Sequence, residues 1–208
     1  ECRRDILYTL VQGCDVYTRI HMQNVAQYAR VLVKTAAVRR PDLHLVEEAV
    51  VQAAALHDVG KRDIPSEILL SPGKLTTGQR QVVRQHPVLG ARLLIRCLNE
   101  NSCAHDDPLD KALIQGALYH HERWDGTGYP FGLKGEQIPI AAQIVALADA
   151  YDALTGMRPY KQVYSHEKAL SMLLRGECGS FSHDMLRVLI GAGPLLKHCL
   201  EAPEKIPQ

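Results

Sequence analysis

Ala146-Leu147-Ala148-Asp149-Ala150-Tyr151-Asp152-Ala153-Leu154 is the stretch on which the fold turns. It closes an apolar run that opens at Pro139, and the whole run reads as one buried helix. A carboxylate set in so apolar a helix is costly unless a cation or hydrogen bonds satisfy it. Asp149 is therefore read as a ligand. Asp152 lies one turn later on the same face. It either orients a histidine from behind a metal or is an ordinary helix-surface carboxylate.

Working outward, helical periodicity dominates. From Thr18 to Arg39 the apolar residues Ile20, Val25, Ala26, Ala29, Leu32, Val33 and Ala36 recur at helical spacing, and Pro41 follows the end. A second helix is expected from about Leu43 to Val59, stopped by Gly60. Ile64-Pro65-Ser66-Glu67 reads as a short helix start, and Ser71-Pro72-Gly73 as a turn. Thr76 to Gln79 has the form of a capping box, and Pro87 should break the helix it opens at His86. Pro108 opens another helix that runs to His120-His121. A glycine-rich loop, Trp124 to Gln137, separates it from the Pro139 helix, and helices near Ser165–Arg175 and His183–Leu189 follow. No period-2 alternation suggests a sheet. The fold class is all-α, with residues 1–200 read as one domain excised from a longer sensor or regulator and 201–208 as a loose tail.

Composition excludes several roles. A net charge of +1 gives no reason to expect DNA or RNA as a partner, or a membrane-attracting field. No apolar run is long enough to span a bilayer and no signal-peptide pattern is present, so a cytoplasmic location is expected. The six cysteines form no Cys-x-x-Cys pair and avoid the histidine clusters, so they read as reduced thiols.

Three clusters carry metal chemistry: His57-Asp58 with Lys61, His120-His121-Glu122, and Asp149 with Asp152. His21, on the first long helix with Ile20 and Val25 nearby, is expected on an inward face. Read alone it is more often a hydrogen-bonded core residue than a ligand. His86, at a proline-broken helix, reads equally well as a helix-terminal histidine. One of His120 and His121 could simply be solvated. Adjacent helical residues point about 100° apart. His57 and Asp58 therefore reach one metal only at a helix end, or else serve two. Five histidines and two aspartates exceed one tetrahedral site and suit two cations sharing a carboxylate, with a bridging water activated between them. Ligation by nitrogen and oxygen alone admits iron, manganese, nickel, cobalt or zinc.

These residues resemble the HD-GYP domains, a branch of the HD phosphohydrolases. The matching stretches are His57-Asp58-Val59-Gly60-Lys61, His86-Pro87-Val88-Leu89-Gly90, His120-His121-Glu122-Arg123-Trp124-Asp125-Gly126-Thr127-Gly128-Tyr129-Pro130 and Ala148-Asp149-Ala150-Tyr151-Asp152-Ala153-Leu154, continued by Arg158-Pro159-Tyr160-Lys161. The resemblance covers about Tyr17 to Phe181. It implies an HD-domain helical bundle and a bacterial cyclic di-GMP phosphodiesterase that yields pGpG and, in some members, GMP, through a metal-bridging hydroxide. By position, His21, His57, Asp58, His86, His120, His121 and Asp149 match the family's ligands to two divalent metals, iron or manganese before the others, with Asp58 bridging. Lys61 matches the lysine on substrate phosphate. Gly128, Tyr129 and Pro130 match the signature loop, tied to substrate handling and to contact with diguanylate cyclase (GGDEF) domains, although glycine and proline also build turns for backbone reasons. Arg158 and Lys161 suit a second phosphate or a guanine, with a surface role nearly as good a reading. Trp124 suits base stacking less well than a core plug. Tyr17 stands where some members carry a glutamate for a third metal, so two metals are expected. Phe181-Ser182-His183 replaces the usual Phe-Asp-Pro. Another cyclic dinucleotide or a mononucleotide as substrate, a metal-retaining regulatory protein-binding module, and a homodimer are the alternatives kept open.

Overall fold

The computed structural model describes residues 8–71, 73–100, 107–156 and 163–201. Arg158, Lys161, Pro72 and the tail from residue 202 lie outside the described residues. Among the described residues the chain is helical throughout, with no strand. After a helical turn at 8–12 come α1 (Val16–Arg39), α2 (Glu47–Leu56), α3 (Ser66–Leu69), α4 (Thr77–Val83), α5 (His86–Glu100), α6 (Pro108–Tyr119), α7 (Ile140–Thr155), α8 (His166–Leu174) and α9 (His183–Glu201). Short 3₁₀ turns occupy Pro41–Leu43, Val59–Asp63 and Gly135–Gln137.

Local chemistry accounts for most boundaries. Asp15 accepts the Thr18 N–H at the start of α1, and Asp107 accepts the Leu109 N–H ahead of Pro108 in α6. Thr76 and Gln79 form the reciprocal capping box expected from sequence. Pro87 separates α4 from α5, as anticipated, and His86 begins the new helix. The second predicted helix is shorter than expected. Leu43 closes the Pro41–Leu43 turn, His44 takes a left-handed φ of 43°, and the helical path resumes only at Glu47. The last helix is longer than expected. It runs past Gly191, Gly193 and Pro194 to Glu201, because Val188, Leu189, Ala192 and Leu196 all bury against the core. Packing outweighs the loss of one helical hydrogen bond at Pro194.

Two buried clusters meet at the functional residues. One is built by α1, α2, α7, α8 and α9 around Leu32, Val50, Ile144, Tyr151 and Leu189. The other joins Leu10, Cys14, Met22, Leu56, Val59, Leu94 and Leu113. Ala148 and Ala150, flanking Asp149, belong to the first cluster. Met22, Leu56 and Val59, beside His21, His57 and Asp58, belong to the second. The site lies in the seam between them. Within it, Gly60 backs onto Gly90 and the His86 carbonyl so closely that a Cβ there would stand 2.9 Å from Gly90 Cα and nearer still to other backbone atoms. That approach brings the turn after Asp58 against the start of α5.

Candidate metal centre

The seven candidate ligands come from five helices, and most stand at helix ends. His57 is the C-cap of α2, His120 the C-cap of α6, and His86 the first residue of α5. Asp58 follows with φ −101° and ψ 7°, already out of the helix, and begins the 59–63 turn. The chain therefore leaves the helix between His57 and Asp58, which removes the 100° divergence of neighbouring helical side chains. His21 and Asp149 instead project from the interiors of α1 and α7. His21 is buried as expected, but its neighbour Ile20 is 45% exposed and does not share its face. Position 20 falls about 100° around the helix from position 21, and Met22 and Val25 take the inward positions.

Hydrogen bonds orient four of the rings. His57 Nδ1 lies 2.7 Å from the Ala54 carbonyl, His86 Nδ1 2.7 Å from the Val83 carbonyl, and His120 Nδ1 3.0 Å from the Gly116 and Ala117 carbonyls. A carbonyl only accepts, so each Nδ1 carries the proton and donates. His21 Nδ1 lies 2.6 Å from Asp152 Oδ2, which selects the orienting role for Asp152 over that of a surface carboxylate. All four Nε2 atoms are thereby turned inward. His86 Nε2 and His120 Nε2 come within 3.2 Å of each other.

Asp58 stands between the rings. Its Oδ2 is 3.5 Å from His21 Nε2 and 3.4 Å from His57 Nε2, while its Oδ1 is 3.1 Å from His86 Nε2 and 3.7 Å from His120 Nε2. Asp149 Oδ1 closes the first side, 3.1 Å from His21 Nε2 and 4.0 Å from His57 Nε2. The donors fall into three overlapping groups with every ligand atom within 4.8 Å of the others: His21, His57 and Asp149; His57, Asp58 and His120; and His86, His120 and His121. All seven residues singled out from sequence are among them.

The set fits a cation on its own evidence. His57 Nε2 and Asp58 Oδ1 are buried without an aligned hydrogen-bond partner, a costly arrangement unless a cation satisfies them. Burial, reinforced by the neighbouring imidazoles, holds His120 well below the usual histidine range. Burial also pulls His121 down to about 3. Neither ring can offset the aspartates with a proton at neutral pH, and the inward lone pairs are free to ligate. Burial would raise Asp58 and Asp149. For Asp58 the charge of Lys61 and the contacts from His57 and His86 reverse this, and for Asp149 those from His21 do, so both stay well below the usual carboxylate range. His21 differs: burial pulls it down, but Asp149 and Asp152 outweigh that and raise it to about 9. Lys61 Nζ lies 2.5 Å from Asp58 Oδ2.

The glycine-rich loop seals one side. Glu122, buried behind the histidine pair, accepts the Phe131 N–H at 2.8 Å and the Leu133 N–H at 3.0 Å. Gly128 runs against the chain at 121–123, where a Cβ would stand 2.5 Å from both the Arg123 nitrogen and the His121 carbonyl. That contact lets the Tyr129 N–H donate to the His121 carbonyl at 3.1 Å. The Tyr129 ring stacks on the His121 ring with centroids 4.6 Å apart at 22°, and the Arg84 guanidinium lies over the same tyrosine at 4.8 Å. Trp124 is half-buried, with its backbone tied to Ser180 and Gly135. Sequence reasoning grouped Glu122 with the histidine pair as metal chemistry, whereas its carboxylate accepts the loop amides of Phe131 and Leu133 instead; it gave no role to Arg84. A carboxylate following two candidate ligands was the available signal for Glu122. For Arg84 there was none, because its partner is 45 residues away in sequence.

The family profile described as HD domain matches residues 10–179. The chain belongs to the HD domain family. Among relatives of this HD domain, the cyclic di-GMP phosphodiesterase PA4108 of Pseudomonas aeruginosa is 39% identical over 86% of this chain and 40% of its own length. The 3'3'-cGAMP-specific phosphodiesterase 2 of Vibrio cholerae is 31% identical over 91% of this chain and 35% of its own. The chain thus spans less than half the length of these relatives. The solved structure of Bd1817, an HDG"Y"P protein from Bdellovibrio bacteriovorus, superposes with a TM-score of 0.63 at 21% identity over 88% of this chain and 52% of that one. No helix among the described residues is long and apolar enough to cross a membrane.

Proposed function

We propose that this HD domain is a metal-dependent phosphodiesterase that hydrolyses cyclic di-GMP to pGpG. The observation that carries the reading is Asp58, whose two oxygens face two different sets of imidazoles. That is the arrangement a carboxylate shared by two cations requires. His21, His57 and Asp149 would hold one ion, and His86, His120 and His121 the other. The nitrogen and oxygen donors admit iron, manganese, nickel, cobalt or zinc, and the family resemblance puts iron or manganese first. Bound divalent cations in such a site supply Lewis acidity and lower the pKa of water from about 15.7 to near 7.

The chain's own residues do the rest. Asp152 holds His21 with Nε2 toward the centre, and four backbone carbonyls do the same for His57, His86 and His120. Lys61 spends one of its three donors on Asp58 and keeps two for a phosphoryl oxygen, where negative charge grows during displacement. Gly128, Tyr129 and Pro130 wall the cavity beside His121 and offer the surface for a GGDEF partner. Arg158 and Lys161 are assigned to the substrate on the family pattern. Residues 1–200 would act as one catalytic domain of a cytoplasmic bacterial regulator.

The relative named for 3'3'-cGAMP keeps a second substrate in the assay. The test is anaerobic purification, loading with iron or manganese, and chromatography of products from cyclic di-GMP, 3'3'-cGAMP and mononucleotides. Production of pGpG is expected, with Asp58→Ala inactive, depleted of metal and still helical. Two bound metals with no turnover of any cyclic dinucleotide would overturn the proposal in favour of a binding module.

A further inference from the structure

We infer that Arg84 is a substrate-binding residue that grips the second phosphate of the cyclic dinucleotide, the one not undergoing hydrolysis. The inference rests on the phosphodiesterase reading above and goes beyond it, because no ligand set or signature loop includes this arginine.

Among the described residues, the other cations near the centre are already engaged. Lys61 is paired with Asp58. Arg123 donates to the His120 carbonyl at 3.0 Å and the Glu122 carbonyl at 2.9 Å, and its guanidinium lies over Phe181. Arg62 is packed across Gly13, where a Cβ would stand 2.6 Å from its Cζ. Arg84 is exposed, and among the described residues its guanidinium contacts no carboxylate and donates no hydrogen bond. Its engagement is a cation–π contact, with Cζ over the Tyr129 ring 4.8 Å from the centroid.

A guanidinium held over an aromatic face carries five N–H donors in one plane, and that contact commits none of them to an acceptor. That geometry matches two phosphate oxygens side by side. The stack is held in place. Tyr129 is stacked on His121 and its N–H is tied to the His121 carbonyl, while Arg84 sits at the end of α4, two residues before His86. Arg84 is thus a cation held over the ring that stacks on His121, with its donors unspent. A substrate with one phosphate at the centre and another across a macrocycle supplies the missing anion. A substrate with a single phosphodiester does not.

The experiment compares wild-type and Arg84→Met, which keeps bulk and removes the donors, together with Arg84→Lys. Each is assayed on cyclic di-GMP and on bis(p-nitrophenyl) phosphate, which has one phosphodiester. Arg84→Met is expected to raise KM for cyclic di-GMP roughly 10- to 100-fold, the effect of losing hydrogen bonds to a charged group. Its kcat should change far less, and the loss in kcat/KM should be at least about 10-fold greater for cyclic di-GMP than for the single phosphodiester. Arg84→Lys, with charge but no fork, should fall between. Metal content and thermal midpoint separate this from a purely structural role, which would lower both and impair the two substrates in parallel. Parallel impairment, or an unchanged KM for cyclic di-GMP, overturns the inference and leaves the phosphodiesterase standing. A wild-type protein that cleaves bis(p-nitrophenyl) phosphate but neither cleaves nor binds any cyclic dinucleotide overturns both.

Discussion

Gly128→Ala tests whether the loop and the centre form one mechanical unit. The added methyl would meet three backbone atoms, the Arg123 nitrogen, the His121 carbonyl oxygen and the Glu122 Cα, at 2.5 Å or less. None belongs to a flexible side chain. The loop must therefore retreat by roughly 1 Å to restore ordinary contact, an overpacking that costs about 1–3 kcal/mol. The retreat also strains the Tyr129 N–H bond to His121 and the two amide bonds to the buried Glu122 carboxylate. Each buried acceptor left unsatisfied adds about 1–3 kcal/mol. With one such acceptor lost, a total of about 2–6 kcal/mol in a domain of this size lowers the thermal midpoint by roughly 4–24 °C. Because His121 loses its stacked partner, a displacement of about 1 Å at the centre should reduce turnover about 100-fold. Scanning calorimetry, metal analysis and product chromatography on the same preparation read all three effects. Gly78→Ala, where a Cβ meets nothing within 4 Å, is the control. A Gly128→Ala protein with wild-type midpoint, metal content and activity would refute the claim that this glycine seats the loop.

Three further outcomes follow from the same contacts. Asp152→Asn should weaken metal binding about 10- to 100-fold with the helices intact, because His21 loses the carboxylate that turns it; competition with a chelator measures this. Loading the metal-free protein near pH 7.5 should release about one proton from His21, raised to about 9, and none from His120 or His121, which are already neutral. Calorimetry in buffers of different ionisation enthalpy counts the protons, and a count unaffected by His21→Gln would overturn the assignment. In the metal-free protein, the stabilisation from protonated His21 is fully present below the ordinary histidine pKa of about 6.5 and is lost as pH rises through about 9. Thermal midpoints across that window should therefore decline, and a flat profile would contradict the Asp149–His21–Asp152 arrangement.

Much of this was legible in the sequence because the donors are chemically expensive where they stand. Asp149 in an alanine-rich helix and paired histidines at helix ends announce a ligand role before any coordinates exist. Helix starts with proline or a capping residue, at Pro108 and Thr76, were equally plain. Other features depend on residues far apart in the chain. Asp152 was ambiguous because its partner, His21, is 131 residues away. The length of α9 was underestimated because the glycines and proline at 191–194 weaken a helix locally, and only the burial of Ala192 and Leu196 against the core shows that it continues. Ile20 was placed inward by periodicity that tolerates a one-residue error, whereas exposure does not.

Helix ends explain why this fold can aim so many rings at one point. The last carbonyls of a helix lack intrahelical donors and need partners. Ala54, Val83, Gly116 and Ala117 supply such carbonyls at the ends of α2, α4 and α6, and the histidine at or just beyond each end donates Nδ1–H to them. One hydrogen bond thus completes the helix end, fixes the tautomer and directs the Nε2 lone pair inward. Deep in α1, His21 has no such carbonyl available and needs Asp152 instead, so it alone among the four oriented rings carries a carboxylate behind it. Asp149 and this Asp152 contact together raise His21 to about 9, while burial and the neighbouring imidazoles drive His120 down. Two rings turned toward one Asp58 are therefore prepared differently: His120 is free to accept a cation at neutral pH, and His21 must first give up a proton.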